Sequence, residues 1–148
     1  MSLLDTLNSD LKKAIKSRNS DTAELIRSLK SDIKYKEIEK KEPLIEEEII
    51  AVLSSAAKKR REAIEQFQAG GRDDLVQRET RQLDLIINYL PKQMSDDEIS
   101  EMVQAAIEET GAATPADLGK VMKVLMPRIK GRADGSKIRQ IVFARLSG

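Results

Sequence analysis

Apolar side chains recur along this chain at intervals of three and four residues, and the polar residues between them supply helix starts and stops. Leu4, Leu7, Leu11, Ala14 and Ile15 make the first stripe, the spacing of one helix face. Ser2, with Asp5 three residues on, reads as a capping box in front of it. Arg18-Asn19-Ser20-Asp21 reads as a turn, with Ser20 or Asp21 capping a second helix whose stripe is Leu25, Ile26, Leu29 and Ile33. That helix runs into a charged, solvated tail that Pro43 stops. A third helix follows, with Glu46, Glu47 and Glu48 at the positive end of its dipole and Ile49, Leu53, Ala56, Ile64 and Phe67 on its apolar face. Gly70-Gly71 ends it. A fourth, from about Asp73 to Asn88, carries Leu75, Leu83, Ile86 and Ile87.

Tyr89-Leu90-Pro91-Lys92-Gln93 reads as a junction, because Pro91 prevents helix continuation. Beyond it, Ser95 and Glu98 form a second capping box, and the helix they start ends at Gly111. Thr114 caps the next helix, with Pro115 at its first position and Asp117 at its third. Its stripe is Leu118, Met122, Leu125 and Ile129, with Met126 counted as core beside Met122, and Met126-Pro127 stops or kinks it. Residues 130–135 form a loop, and Ser136 caps a last helix with Ile138, Ile141, Val142 and Leu146 inward. No strand pattern competes. The expected fold is all-α: a bundle of about four helices over residues 1–91, joined to a small three-helix domain over 95–148.

Composition narrows the chemistry. Of the 148 residues, 40% are apolar, 34% charged and 3% aromatic, a helix-forming mixture well above the roughly 25% charged of an average domain. There is no cysteine and no histidine, which excludes disulfides, thiolate metal sites and every Ser-His or Cys-His mechanism. The acid pairs Glu47-Glu48, Asp73-Asp74 and Asp96-Asp97 all sit near helix starts, where the dipole accounts for them. No catalytic constellation, metal site or cofactor site is expected, and the chain reads as a non-enzyme. With no apolar run long enough for a membrane and no basic-then-apolar start, a cytoplasmic protein is the expectation.

Charge is unevenly placed. Residues 1–91 carry 17 basic and 17 acidic side chains, and residues 92–116 carry Lys92 against six acids. From Asp117 to Arg145 eight basic residues face only Asp117 and Asp134, although the whole chain is only +1. The small C-terminal module should therefore have one acidic and one basic face, and the basic one suggests a polyanion, RNA above all. The candidate phosphate contacts are Lys120, Lys123, Arg128, Lys130, Arg132, Lys137 and Arg139. Scarce aromatics favour recognition of backbone and shape, since single-strand binders stack bases on rings; only Phe143 lies near the basic region.

The loop at its centre fails as a nucleotide-hydrolysing P-loop. Three residues separate Gly131 from Gly135, Ser136 stands where that motif needs lysine, and no strand precedes it. Two readings of Gly131, Gly135 and Ser136 remain: a phosphate cradle at a helix N-terminus, or a helix–helix turn with a capping serine. The run Lys58-Lys59-Arg60-Arg61 points around its helix and reads as a solvated face partly paired with Glu62 and Glu65.

Several segments in order carry a resemblance. Ser2-Leu3-Leu4, residues 67–75 (FQAGGRDDL), Tyr89-Leu90-Pro91-Lys92-Gln93, Gly119-Lys120-Val121-Met122 and residues 130–135 (KGRADG) together resemble the small bacterial YqeY proteins over essentially the whole length. Residues 95 to 147 are also similar to the helical tail of the GatB subunit of the tRNA-dependent amidotransferase and to an appended domain of some glutaminyl-tRNA synthetases, tails that help hold tRNA without chemistry of their own. The resemblance implies a two-part helical fold with a tRNA-binding type of module, and contact roles for Lys120, Lys130 and Arg132, which sit in the matching motif. The leading expectation is a non-catalytic accessory protein that binds tRNA or structured RNA. The alternatives are an adaptor that docks a translation or RNA-processing enzyme through residues 1–91, and a component of a glutamine-dependent carbon–nitrogen ligase complex.

Overall fold

The computed structural model describes residues 2–148, and seven α-helices with no strand account for the fold among them. They are α1 (Leu3–Lys16), α2 (Ser20–Lys40), α3 (Glu46–Ala69), α4 (Asp73–Ile87), α5 (Asp96–Thr110), α6 (Leu118–Ile129) and α7 (Gly135–Ser147), with a 3-10 turn at Pro115–Asp117 leading into α6. The chain divides into two compact units between Leu90 and Pro91.

In the first unit the periodic stripes become one core. Leu7 of α1, Leu25, Ile26, Leu29 and Ile33 of α2, Ile49, Val52, Leu53, Ala56 and Ala57 of α3, and Ile86 of α4 are all buried. The start of α1 is also tied to the start of α3, where the Leu3 N–H donates to Glu46 Oε1 at 2.7 Å. Ile15 departs from its stripe and is exposed, although Ala14 beside it in the last turn of α1 is buried. The α1–α2 turn takes a left-handed Arg18, φ 58°, and Asn19 caps α2 by accepting the Thr22 N–H; neither Ser20 nor Asp21 does so. Helix α2 stops at Lys40, with Lys41 left-handed at φ 64°, two residues before Pro43.

The core does not extend along the α3–α4 hairpin. No side chain between Ala57 and Ile86 is buried, and Ile64, Phe67, Leu75, Val76 and Leu83 are half-buried. Arg60 Nε lies 3.4 Å from Glu79 Oε2 across the hairpin, an ion pair in which neither atom has a hydrogen-bond partner. Glu79 on the neighbouring helix, rather than Glu62 or Glu65, is thus the counter-charge of Arg60.

The second unit has its own core, formed by Met94 from the segment after Pro91, Ile99, Val103 and Ala106 of α5, Val121, Met122, Leu125 and Ile129 of α6, and Ile138, Val142 and Leu146 of α7. Met126 is 43% exposed and stands outside this core. Helix α6 runs two residues past Pro127. The proline is exposed, so the Lys123 carbonyl that loses its donor lies on the side where water reaches it. Asp134 rather than Ser136 caps α7, with its Oδ1 accepting the Ser136 N–H at 3.0 Å.

Candidate nucleic-acid interface

The acids of α5 and the bases of α6 and α7 meet side by side. Arg128 Nη2 lies 3.2 and 2.9 Å from the two carboxylate oxygens of Glu109. Arg132 reaches Glu98 Oε2 at 3.3 Å and donates to the Lys92 carbonyl at 3.2 Å. Lys137 Nζ lies 3.1 Å from Asp96 Oδ1. Arg145 donates to the Ser100 carbonyl and hydroxyl and to Gln104 Oε1. The Glu98 carboxyl is held below its ordinary range, chiefly by the Ser95 N–H and hydroxyl, with Arg132 and Lys92 adding positive field. Asp117 is likewise held low by the N–H groups of Ala113 and Thr114, to which it reaches back at 2.9 and 3.3 Å, and then by Lys120.

Half-turn logic sorts the remaining cations. Helical residues two apart point roughly 200° apart. Lys137 and Arg145 face α5, so Gly135, Arg139 and Phe143 face away from it. Arg128 faces α5, so Met126 and Lys130 do not. A Cβ placed on Gly135 would lie 3.4 Å from Met126 Cε, so these two far flanks adjoin at a seam between α6 and α7. Lys123, Lys130 and Arg139 are exposed on this side and make no hydrogen bond or ion pair among the described residues. Lys120 is exposed in the first turn of α6, with Asp117 as its electrostatic neighbour.

The seven candidate cations therefore fall into two groups. Arg128, Arg132 and Lys137 are engaged within the unit, whereas Lys123, Lys130 and Arg139, with Lys120 beside Asp117, remain presented to solvent. Of the loop candidates, Gly131 adopts φ 77°, which favours glycine, and its carbonyl accepts from Gln93 Nε2 at 2.8 Å. The Met94 N–H donates to the Arg132 carbonyl, so this loop is bound to the segment that follows Pro91. Gly135 lies against Met126, and the Ser136 N–H already faces the Asp134 carboxylate. A negative charge at that helix end disfavours a second anion there.

Sequence reasoning missed two features. One is the exposure of Met126 beside the unpaired cations, hidden because its spacing matched the core stripe. The other is in the first unit, where Tyr89 donates to Asp10 Oδ2 at 2.5 Å beside an open groove that Thr22, Asn19, Leu85 and Asn88 also line. Burial, and then this carboxylate, push the Tyr89 phenol well above its ordinary value of 10.0. Among the described residues no group of three acidic, histidine or cysteine side chains is gathered to hold a metal, and no helix is long and apolar enough to cross a membrane.

Comparison with known proteins gives the lineage. A protein of Pyrenophora tritici-repentis named "Altered inheritance of mitochondria protein 41, mitochondrial" is 31% identical over 97% of this chain and 82% of its own length. Proteins of the same name from Eremothecium gossypii and Saccharomyces cerevisiae are 40% and 28% identical, over 57% and 90% of this chain. This chain spans 46% and 63% of those two relatives. Their mitochondrial names overturn the cytoplasmic expectation, whose only ground was the lack of a membrane span and of a signal pattern. Helix packing and composition do not encode a compartment, which is read by receptors from separate address segments. The family model described as Yqey-like protein matches residues 4–146, nearly the whole chain. The chain belongs to the YqeY family.

Proposed function

We propose that this chain is a non-catalytic RNA-binding accessory protein, and that its C-terminal unit holds phosphates on the outer flank of α6 and α7. The observation that carries the reading is the sorting of charge. Arg128, Arg132 and Lys137 are neutralised by α5, while Lys123, Lys130 and Arg139 are exposed away from it without counter-ions. Unpaired cations gathered on one flank cost the folded unit self-repulsion, which an anionic backbone relieves. Phosphate contacts of this kind position an RNA without reading its bases. Lys120 extends the same charge along α6. The same reading takes the fold as a four-helix bundle plus a three-helix tail module of the GatB type, and a separate core in each unit supports it.

The test is binding of bulk tRNA across a salt series. Contact with about four phosphates gives a log–log slope of roughly −3 to −4. Lys123→Glu/Arg139→Glu binds far more weakly, with a slope shallower by about two. Reversal at Arg128 mainly disturbs the pair with Glu109 and changes the slope less. Equal binding by the Lys123/Arg139 variant would end the RNA reading.

A second reading has its own observation. Tyr35 and Ile38 are exposed one turn apart near the end of α2, and Ile45 is exposed at the start of α3. Apolar side chains left in water on one helix face suit a protein partner of the first unit, such as a translation or RNA-processing enzyme. Partner capture that survives reversal of Lys123 and Arg139 but is lost on Tyr35→Ser/Ile38→Ser separates the two roles.

A further inference from the structure

Electrostatics leaves one residue of the α6–α7 flank unexplained. Phe143 is 51% exposed and follows Gly135 and Arg139 at four-residue steps, so all three share a helix face. On α6 the exposed Met126 stands between Lys123 and Lys130 at steps of three and four. Neither Met126 nor Phe143 belongs to the core of the unit. Single exposed apolar residues are ordinary on protein surfaces. Here an aromatic ring and a thioether lie on the flank that carries the three cations without counter-ions. Duplex RNA would bring phosphates to those cations but has no open base face for the ring. An unpaired strand brings both, because each base has a π-face and each linkage a charge.

We infer that this flank takes an unpaired RNA segment, with a splayed base stacked on Phe143 and the adjoining phosphates on Lys123, Lys130 and Arg139. The inference rests on the RNA reading above and sharpens it, replacing the expectation of pure backbone and shape recognition. Arg139, one turn before Phe143, also has a planar guanidinium suited to the edge or face of the same base. Met126 supplies a flexible, polarisable thioether at the seam.

The experiment measures anisotropy of a labelled eight-nucleotide oligoadenylate and of a blunt RNA duplex of matched length. It uses the full chain, Phe143→Ala, Phe143→Trp and Lys123→Glu/Arg139→Glu. The full chain is expected to prefer the single strand. Phe143→Ala should weaken single-strand binding about 5- to 100-fold and leave duplex binding unchanged. Phe143→Trp should retain affinity, and because the chain has no tryptophan, the introduced indole reports stacking directly through quenching on titration. Unchanged single-strand affinity in Phe143→Ala, with binding still lost on charge reversal, would sink the stacking inference and leave the RNA reading standing. Equal loss for strand and duplex, or an unquenched indole at saturation, would also overturn it. No binding of either RNA by the full chain removes both readings together.

Discussion

The two units of this chain are built from the same material and distribute charge differently. In the first, acids and bases alternate along each helix and pair mostly with near neighbours in sequence, as Lys36 does with Glu39 and Lys40 with Glu42 and Glu48, the Arg60–Glu79 pair between α3 and α4 being the exception. In the second, the acids are gathered on α5 and the bases on α6 and α7, so neutralisation has to cross between helices. Pairing between sequence neighbours leaves a segment nearly neutral before it meets the rest of the unit. Cross-helix pairing makes each helix a partner of the next and exposes whichever bases lie on the wrong flank. The difference shows how a nearly neutral protein can still present a concentrated positive face.

The comparison is broken most severely through the cores. Leu125→Ala, at a fully buried site in the second unit, is expected to cost about 2–5 kcal/mol. Far-ultraviolet circular dichroism during urea unfolding would show it. Leu53→Ala should cost a similar amount in the first unit. If the units are stabilised separately, the two variants shift different parts of the unfolding curve.

Next in size is Tyr89, whose hydrogen bond to the Asp10 carboxylate is worth about 1.5–3 kcal/mol. Its folded pKa is raised, so this stability is fully present below the unfolded value of 10.0 and is lost as pH rises through the folded value. Unfolding midpoints of the wild type should therefore fall above about pH 10. Tyr89→Phe should be less stable at neutral pH and lack that alkaline fall; an identical alkaline profile would remove the assigned role.

Smaller still is the exposed Arg128–Glu109 pair. Glu109→Gln should cost at most about 0.2–1 kcal/mol, a loss that fades as salt rises. The same substitution releases Arg128, and on the proposed RNA role it should raise affinity for RNA slightly, which a salt-series titration reads. The mildest prediction concerns acid. Glu98 and Asp117 have lowered folded pKa values, so their contribution is present above the ordinary carboxylate range and is lost as pH falls through the folded values. The second unit should lose stability below about pH 4, with Glu98→Gln flattening the fall in a pH series of melting curves.

Local features were readable from sequence, and pairings made by distant neighbours were not. The capping boxes at Ser2 and Ser95 depend on residues three apart, and both form as the spacing implies. The stripe Leu25, Ile26, Leu29 and Ile33 is buried throughout. At α7, by contrast, Asp134 and Ser136 are both competent caps two residues apart, and only the loop path from Ile129 chooses between them. Met126 fits the period of its helix as well as Met122 does, but the stripe is wider than the face α5 and α7 cover. Which bases stay unpaired was hidden for the same reason: the counter-charges lie 19, 34 and 41 residues away for Arg128, Arg132 and Lys137. Composition located the positive region, and tertiary contacts decided which part of it is available.

The α3–α4 hairpin carries a consequence for how this fold can change over time. Between Ala57 and Ile86 no whole side chain is buried, so the arm beyond the core is held by half-buried contacts and the Arg60–Glu79 pair. Paired seven-residue insertions, one in each helix, would keep the facing stripes in register and lengthen the arm by about 10 Å. The eleven buried residues at its base would be undisturbed. Reach is thus an independently adjustable dimension of the first unit, free to drift or be selected without renegotiating the core.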